Sequence, residues 1–203
     1  VRNSLTNISA YIQLLQLDRS INNFRGDKIL REIARVNRLL DDFKLLSGHQ
    51  QSEVSQHSLD ETLQSVINMM RSKVELNNIN LIYNPSKHMI YIKADKNALH
   101  HVFINLIDNA IQAMEDGGTL RIDLGIDTEN DEAIISFKDT GSGIPSDQIN
   151  EIFKRFYTTK KTGSGLGLYI CQTMVKYYGG DIEIKSVEGE GTTFIVRLPA
   201  THD

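Results

Sequence analysis

Residues 100–114 read HHVFINLIDNAIQAM, and this stretch decides the fold. Its apolar residues recur at spacings of three and four, which predicts a buried helix. Within it, Asn105 and Asn109 are four residues apart and therefore lie on the same helical face. A buried amide without a partner costs on the order of 1–3 kcal/mol, so both side chains need partners. The helix alone fits two interpretations: a satisfied pair of core asparagines, or one wall of a binding site.

The composition describes an ordinary globular protein. The 203 residues are 40% hydrophobic and 24% charged, and the formal net charge is −4. A mildly acidic balance argues against nucleic acid as the main partner. The single cysteine, Cys171, lies among apolar residues and cannot form a disulfide within the chain, which favours a reducing, cytoplasmic setting. No run of apolar residues approaches the length of a membrane-spanning helix.

Residues 1–47 carry apolar residues at alternating spacings of four and three, the seam of a coiled coil or four-helix bundle. These positions are Val1, Leu5, Ile8, Ile12 and Leu15 in a first helix and Ile29, Ile33, Val36, Leu40 and Phe43 in a second. Two helices cannot enclose a core, so we expect the hairpin to pair with a second copy and form a homodimer. The polar residues 48–57 that follow are predicted to be a linker.

Residues 58–203 alternate between helical and strand-like patterns, which predicts a mixed α/β domain. We expect helices at about 60–76, 95–114 and 165–178, and strands at 79–83, 89–94, 119–126, 133–139, 181–186 and 192–198. Strands 119–126 and 133–139 are expected to pair antiparallel, and the last two strands to form a hairpin. Residues 140–164 are rich in Gly, Ser, Thr and Lys, and a loop of this length is usually functional.

Two stretches near this loop have the residue types of a nucleotide site. Asp139 ends a predicted strand before TGSGIP, and its carboxylate could accept a hydrogen bond from a base amine or belong to an ordinary Asp-Gly turn. Gly163, Gly165 and Gly167 lie where the last helix begins. Such glycines let backbone N–H groups approach phosphate oxygens at a helix N-terminus, although alone they also fit a tight turn.

In this order, the motifs NLIDNA, DTGSGIP, FKRF, GSGLGL and GEGTTF resemble the ATP-binding domain of sensor histidine kinases. The wider family includes Hsp90, gyrase B and MutL, and the resemblance covers roughly residues 58–199. It implies an α+β chain: a helical hairpin, half of a dimeric four-helix bundle, followed by an α/β sandwich. The sandwich would have a mixed, largely antiparallel sheet faced by three helices. The YTTK segment is similar to kinases of the nitrogen-regulation and sporulation type.

The resemblance also implies roles for individual residues. Asn109 would hold Mg²⁺ that bridges the phosphates of ATP, with Asn105 assisting. Asp139 would bind the adenine amine, helped by Thr192 through water. The other implied nucleotide-binding residues are Gly141 and Gly143 at the base pocket, Phe156 and Lys160 in the lid, and Gly163, Gly165, Leu166 and Gly167 at the phosphates.

The first residues, VRNSLT, resemble the phosphoacceptor box of histidine kinases, with Ser4 in place of the common proline. On that match the acceptor histidine would precede Val1, so no catalytic residue is expected in this chain, which should bind ATP without autophosphorylating. None of the six histidines fits the acceptor position: His49, His57, His88, His100, His101 and His202. Any sensor domain or membrane anchor of the parent protein would also precede Val1.

We therefore expect the cytoplasmic core of a two-component kinase that passes the γ-phosphoryl group of ATP to a histidine and then to a response regulator receiver domain. Hydrolytic relatives have a glutamate four residues before the metal-binding asparagine. Here that residue is Asn105, which cannot act as a general base. An anti-sigma type serine kinase is an alternative, disfavoured by the hairpin. A degenerate ATP-binding regulatory module is another, disfavoured by the intact Asn109 and Asp139.

Overall fold

The computed structural model describes residues 53–159 and 164–201, together with residues 29, 30, 33 and 36. The chain divides into two compact units, Val1–Gln51 and Ser52–Asp203. In the first unit the four described residues are helical. The rest of the predicted hairpin and its dimer contact lie outside the described residues. The second unit contains all the elements described below.

The described part of the second unit contains three helices and seven strands. The helices are α1 (Leu59–Leu76), α2 (Lys96–Ala113) and α3 (Gly167–Tyr177). The strands are β1 (Val54–Ser58), β2 (Ile79–Asn84), β3 (Tyr91–Asp95), β4 (Gly118–Asp127), β5 (Glu132–Asp139), β6 (Asp181–Val187) and β7 (Gly191–Thr201). None of the described helices is long and apolar enough to cross a membrane.

All seven strands form one sheet in the order β1-β3-β7-β5-β4-β2, and β6 also pairs with β7. The pairing of β2 with β4 is parallel, and the other pairings are antiparallel. The predicted hairpins of β4 with β5 and of β6 with β7 are confirmed. The prediction of a mixed, largely antiparallel sheet with three helices is therefore confirmed.

The core lies between one face of this sheet and the helices. Alternate residues of β5 and β7 are buried there: Ala133, Ile135, Phe137, Phe194, Val196 and Leu198. Phe103 of α2 packs on Phe137, with ring centroids 5.8 Å apart. Because α2 contacts α1, α3 and the sheet, apolar residues cover most of its surface.

The starts of α1 and α2 are fixed by capping residues. Asp95 caps α2, because its Oδ1 accepts the backbone N–H groups of Asn97 at 2.7 Å and Ala98 at 3.2 Å. Ser58 caps α1 in the same way, accepting the N–H of Glu61. After α2 the chain turns at Gly117, which has φ +86°. The predicted limits of the asparagine helix are thus confirmed to within a residue at each end.

Two differences from prediction have simple causes. Strand β1 occupies Val54–Ser58, whose first four residues were predicted to belong to the linker 48–57. Its sequence VSQHS is polar and mostly exposed, so it carries little periodicity, and it becomes a strand by pairing with β3. Helix α3 begins at Gly167 instead of Gly165, because Gly165 has φ +69°, which a right-handed helix excludes.

Candidate functional site

Asp139, at the end of β5, is a buried carboxylate with a fixed orientation. Only 3% of the residue is exposed. Its Oδ1 accepts the backbone N–H groups of Gly141 at 2.9 Å and Thr192 at 3.1 Å. These two bonds tie the end of β5 to the start of β7. A carboxylate held this rigidly can accept a hydrogen bond from a ligand amine in one defined position.

Next to Asp139, a hydroxyl cluster orients Thr192. Ser186 Oγ donates to the carbonyl of Gly191 at 3.0 Å and accepts the N–H of Ile144 at 2.8 Å. Ser186 Oγ and Thr192 Oγ1 are 2.9 Å apart. Because Ser186 has a single proton, which Gly191 accepts, the Thr192 hydroxyl must be the donor in this contact. The lone pairs of Thr192 Oγ1 are then left to accept from water or ligand.

The loop after β5 approaches two other segments so closely that glycine is required. A Cβ at Gly141 would lie 2.6 Å from the carbonyl oxygen of Ala113, the last residue of α2. That same carbonyl accepts the N–H of Ser142 at 3.0 Å. Gly143 has φ +67°, and a Cβ there would lie 2.1 Å from the carbonyl oxygen of Val187. The loop therefore runs between the end of α2 and the end of β6.

Gly191 meets the same constraint at the start of β7. It has φ +117°, and a Cβ would lie 2.2 Å from the carbonyl oxygen of Asp139. Gly191 and Ser186 are not among the predicted site residues, although Gly191 lies inside the motif GEGTTF. Ser186 is the polar member of an alternating row with Ile182 and Ile184, which is the signal that could have identified it.

The two asparagines lie on the half-buried face of α2. The amide nitrogen of Asn105 is buried and has no hydrogen-bond partner among the described residues. Its Oδ1 is close to the first residue of α3, since a Cβ at Gly167 would lie 3.2 Å from it. An orphan buried amide costs about 1–3 kcal/mol, and a polar ligand would supply its partner. We call the region bounded by this face of α2, the start of α3 and Asp139 the cleft.

The start of α3 forms the opposite side of this cleft. Leu166 is the N-cap residue, and no side chain caps this helix within the described chain. The N–H of Leu166 donates to Ser164 Oγ at 3.2 Å. Just before it, Gly165 accepts the N–H of Phe156 at 2.9 Å through its carbonyl. Uncapped N–H groups at the N-terminus of a helix favour an anion.

Of the two predicted lid residues, Phe156 and Lys160, the structure describes Phe156. It is 71% exposed and has φ +65°, so it does not belong to the buried core. Phe153 is half-buried. Lys160 and Gly163 lie outside the described residues, so their predicted contacts with phosphates stay predictions.

The remaining predicted residues are arranged along α2. Gly141 lies against Ala113 at the end of this helix, and Asp139 links Gly141 to Thr192 through its two hydrogen bonds. Gly143 lies farther along the loop, against Val187. Asn105 lies eight residues earlier, about 12 Å along the helix axis. The cleft therefore has a carboxylate at one end and amides with a helix N-terminus at the other. It suits a ligand with a flat base at one end and phosphates at the other.

Comparison with known proteins identifies the family. A sequence profile of the histidine kinase-, DNA gyrase B-, and HSP90-like ATPase family matches residues 94–202, which is more than half of the chain. Sporulation kinase C of Bacillus subtilis (strain 168) is 36% identical over 204 residues, which cover 100% of this chain and 47% of the relative. The chain thus spans about half the length of this curated relative.

Two solved structures of histidine kinase ThkA are similar to the chain. The catalytic domain of ThkA is 30% identical with a TM-score of 0.66, over 74% of this chain and 99% of that one. ThkA in complex with the response regulator protein TrrA is 22% identical with a TM-score of 0.69, over 98% of this chain and 59% of that one. At that identity the second likeness shows the fold alone. The chain belongs to the histidine kinase-, DNA gyrase B-, and HSP90-like ATPase family and carries the ATP-binding catalytic core of a sensor histidine kinase.

Proposed function

We propose that this chain binds Mg·ATP in the cleft along α2 and serves a two-component histidine kinase that phosphorylates a histidine of the first hairpin helix. The observation that carries the proposal is the buried Asp139, whose orientation is fixed by Gly141 and Thr192. The exocyclic amine of adenine would donate a hydrogen bond to this carboxylate. Thr192 Oγ1, with its lone pairs directed away from Ser186, would hold a bridging water.

The phosphates would lie between α2 and the start of α3. The unpartnered amide nitrogen of Asn105 is a donor suited to a phosphate oxygen. The uncapped first turn of α3, from Gly167 onward and next to Leu166, would add backbone donors. Lys160, Gly163 and Gly165 are proposed to complete the phosphate contacts, and Phe156 the lid.

Amide oxygens also suit Mg²⁺, which is bound in proteins by oxygen atoms together with substrate phosphates. No group of three or more His, Cys, Asp or Glu residues in the described chain could hold a metal ion. We infer that Asn109, with Asn105 assisting, would hold the ion together with the phosphates. When bound, Mg²⁺ would neutralise part of the negative charge of the triphosphate.

The residues of this cleft favour transfer over hydrolysis. Asn105 cannot deprotonate a water molecule, so no general base of the glutamate type is present at that position. In the transfer, the bond between the γ-phosphorus and the bridging oxygen breaks, ADP leaves, and a bond forms to an imidazole nitrogen. The domain's contribution would be to align ATP and stabilise charge, with the acceptor supplied by the helical hairpin.

The partners follow from the same proposal. We infer a homodimer through the hairpin of residues 1–47, a linker that ends before Val54, and a catalytic domain that begins with β1. The phosphoryl group would pass from histidine to an aspartate of a response regulator receiver domain. Support comes from ThkA, a kinase of the same fold that was solved in complex with a response regulator protein. A cytoplasmic setting fits the single reduced cysteine.

The first test is Asp139→Asn. Asparagine keeps Oδ1 as an acceptor for the N–H groups of Gly141 and Thr192, so the fold should persist. The charge that would bind the adenine amine is lost, and a hydrogen bond to a charged group contributes about 1.5–3 kcal/mol. We expect Kd for MgADP, measured by calorimetry, to rise about 10- to 150-fold. Asp181→Asn, on exposed β6, is the matched control, and an unchanged Kd in Asp139→Asn would mean that the base pocket lies elsewhere.

The second test concerns the acceptor. A chain extended upstream of Val1 would be incubated with Mg²⁺ and γ-labelled ATP, with residues 1–203 alongside. We expect acid-labile, alkali-stable label on the longer chain only, lost when an upstream histidine is replaced. Acid-stable label would favour the serine kinase. ATP binding without any label would favour a regulatory binding module.

A further inference from the structure

Arg155 makes two contacts with one aromatic side chain on α3. Its guanidinium carbon lies 4.7 Å from the ring centroid of Tyr169. Its Nη2 donates to the hydroxyl of Tyr169 at 2.5 Å. The two residues are 14 positions apart in the chain, so the contact joins the segment before residue 160 to the first turn of α3. A planar guanidinium can make both contacts at once, which an ammonium group cannot.

A backbone contact reinforces the same junction. The N–H of Phe156 donates to the carbonyl of Gly165 at 2.9 Å. Phe156 has φ +65°, an unfavourable conformation for a bulky residue that persists only where surrounding contacts hold it. Gly165 must be glycine, because a Cβ there would lie 2.3 Å from the carbonyl carbon of Phe156. Arg155 and Phe156 are thus joined to residues 165–169 by both a side-chain and a backbone contact.

The first turn of α3 is the part of the helix that borders the cleft. Gly167, two residues before Tyr169, lies against Asn105. This turn has no side-chain cap within the described chain that would fix it from its own end. Tyr169 itself is anchored to the next turn, since its carbonyl accepts the hydroxyl of Thr173 at 2.8 Å. A group that holds the Tyr169 ring therefore restrains the position of Gly167 relative to Asn105.

We propose that Arg155 is a positioning residue for nucleotide binding: through Tyr169 it holds the first turn of α3 against Asn105. The inference rests on the proposed function, because it takes the cleft between α2 and α3 as the phosphate site. Arg155 acts through Tyr169, so its effect should disappear when the tyrosine can no longer receive it. Neighbouring Lys154 makes a different contact, an ion pair of 2.6 Å with Glu151, and serves as the matched control.

The contact has a spectroscopic signature. Hydrogen bonding from Arg155, together with its positive charge, lowers the pKa of Tyr169 below its ordinary value of 10.0. Tyrosine ¹³Cζ labelling and an NMR pH titration would follow this group separately from the other tyrosines. Arg155→Met, which removes charge and donors but keeps the aliphatic stem, should return the pKa of Tyr169 toward its ordinary value.

The binding test uses MgADP and calorimetry on residues 1–203. An exposed cation–π contact contributes about 0.5–1 kcal/mol, so Arg155→Met should raise Kd about two- to fivefold. Arg155→Lys keeps the charge but not the planar guanidinium, and it should lose most of the same MgADP affinity. Lys154→Met should bind as the wild type does. In the double variant Arg155→Met, Tyr169→Leu, the loss should not exceed the larger single loss, since Tyr169→Leu removes both the ring and the hydroxyl that Arg155 contacts.

Each outcome decides between the two proposals. If wild-type chain does not bind MgADP, the proposed function fails and this inference fails with it. If wild type binds and Asp139→Asn does not, but Arg155→Met binds normally, only the positioning role is overturned. Additive losses in the double variant would also overturn it, because Arg155 would then not act through Tyr169. An equal loss in Lys154→Met would overturn it as well, because the effect would then reflect general charge. Lys154 and Arg155 are exposed, and far-UV circular dichroism checks that all the variants remain folded.

Discussion

At the scale of single residues, Gly167 is a position where one substitution should affect stability and nucleotide binding differently. Gly167 has an ordinary helical backbone, so alanine there should stabilise the helix by about 0.5–1 kcal/mol. The added Cβ would lie 3.2 Å from Asn105 Oδ1, a contact that forces the amide to move by a few tenths of an ångström. We therefore expect Gly167→Ala to keep or raise Tm while Kd for MgADP rises about fivefold or more.

Gly125→Ala is the control for this change. A Cβ at Gly125, in β4, meets nothing within 4 Å, and the residue is remote from the cleft in the sheet register. Its Kd for MgADP should be that of wild type. If Gly167→Ala also binds MgADP as wild type does, Asn105 does not border the phosphates and the proposed orientation of the nucleotide is wrong.

A second residue-scale prediction concerns pH. Burial lowers the pKa of His100 below 6.5, and the positive charges of Lys96 and His57 lower it further. The folded state therefore resists protonation, while the unfolded chain takes up a proton as pH falls below 6.5. The contribution of His100 to the free energy of unfolding is therefore fully present above pH 6.5 and is lost as pH falls toward the lowered pKa.

Replacing His100 by glutamine removes this titration. In urea unfolding at several values between about pH 7 and pH 5, the free energy of unfolding should fall less steeply for His100→Gln than for wild type. His88→Gln, at an exposed position, is the control. Equal slopes for wild type and His100→Gln would show that this histidine makes no contribution to the acid sensitivity of the fold.

At the scale of elements, α1 is attached to the edge of the sheet by a polar contact. Tyr83 of β2 donates its hydroxyl to Asp60 of α1 at 2.5 Å. Burial, followed by this bond and by the charge of Asp60, raises the pKa of Tyr83, so the hydroxyl stays a donor at any ordinary pH. Tyr83→Phe should lower the stability by about 1–2 kcal/mol and Tm by several degrees.

Nucleotide affinity should not follow this loss, because Asp60 and Tyr83 are not among the residues of the cleft. Tyr91→Phe is the control, since among the described residues its hydroxyl makes only a 4.0 Å contact with Met89 Sδ. Calorimetric unfolding and MgADP titration of the two variants would measure both quantities. A Tm unchanged in Tyr83→Phe would mean that packing, not this hydrogen bond, holds α1 on the sheet.

The elements also show what a sequence can predict. α2 was placed correctly because its apolar periodicity is long and its ends have a capping Asp95 and the turn at Gly117. Strand β1 was missed because its strand character comes only from β3. The hydroxyl cluster was missed for the same reason: Ser186 and Ile144 are 42 residues apart. Local patterns predict elements, whereas long-range pairing decides which polar residues meet.

At the scale of the whole molecule, the division after Gln51 separates two proposed tasks. The unit Ser52–Asp203 has its own buried core and all the described residues of the cleft. Residues 1–47 have the apolar seam of a helical hairpin, which needs a second copy to be covered. We therefore expect residues 1–203 to sediment as a dimer, and residues 52–203 as a monomer that binds MgADP with the same Kd.

Sedimentation over a range of concentrations tests this, because a seam of this kind should hold the dimer at low micromolar concentration. As the matched control, Leu40→Lys in residues 1–203 would place a charge in the seam without removing the hairpin. It should dissociate the dimer and leave the Kd for MgADP unchanged. A dimer of residues 52–203 would place the contact in the catalytic domain instead. A monomer of residues 1–203 at high micromolar concentration would mean that the hairpin does not mediate dimerisation, and the proposed acceptor helix would lose its structural basis.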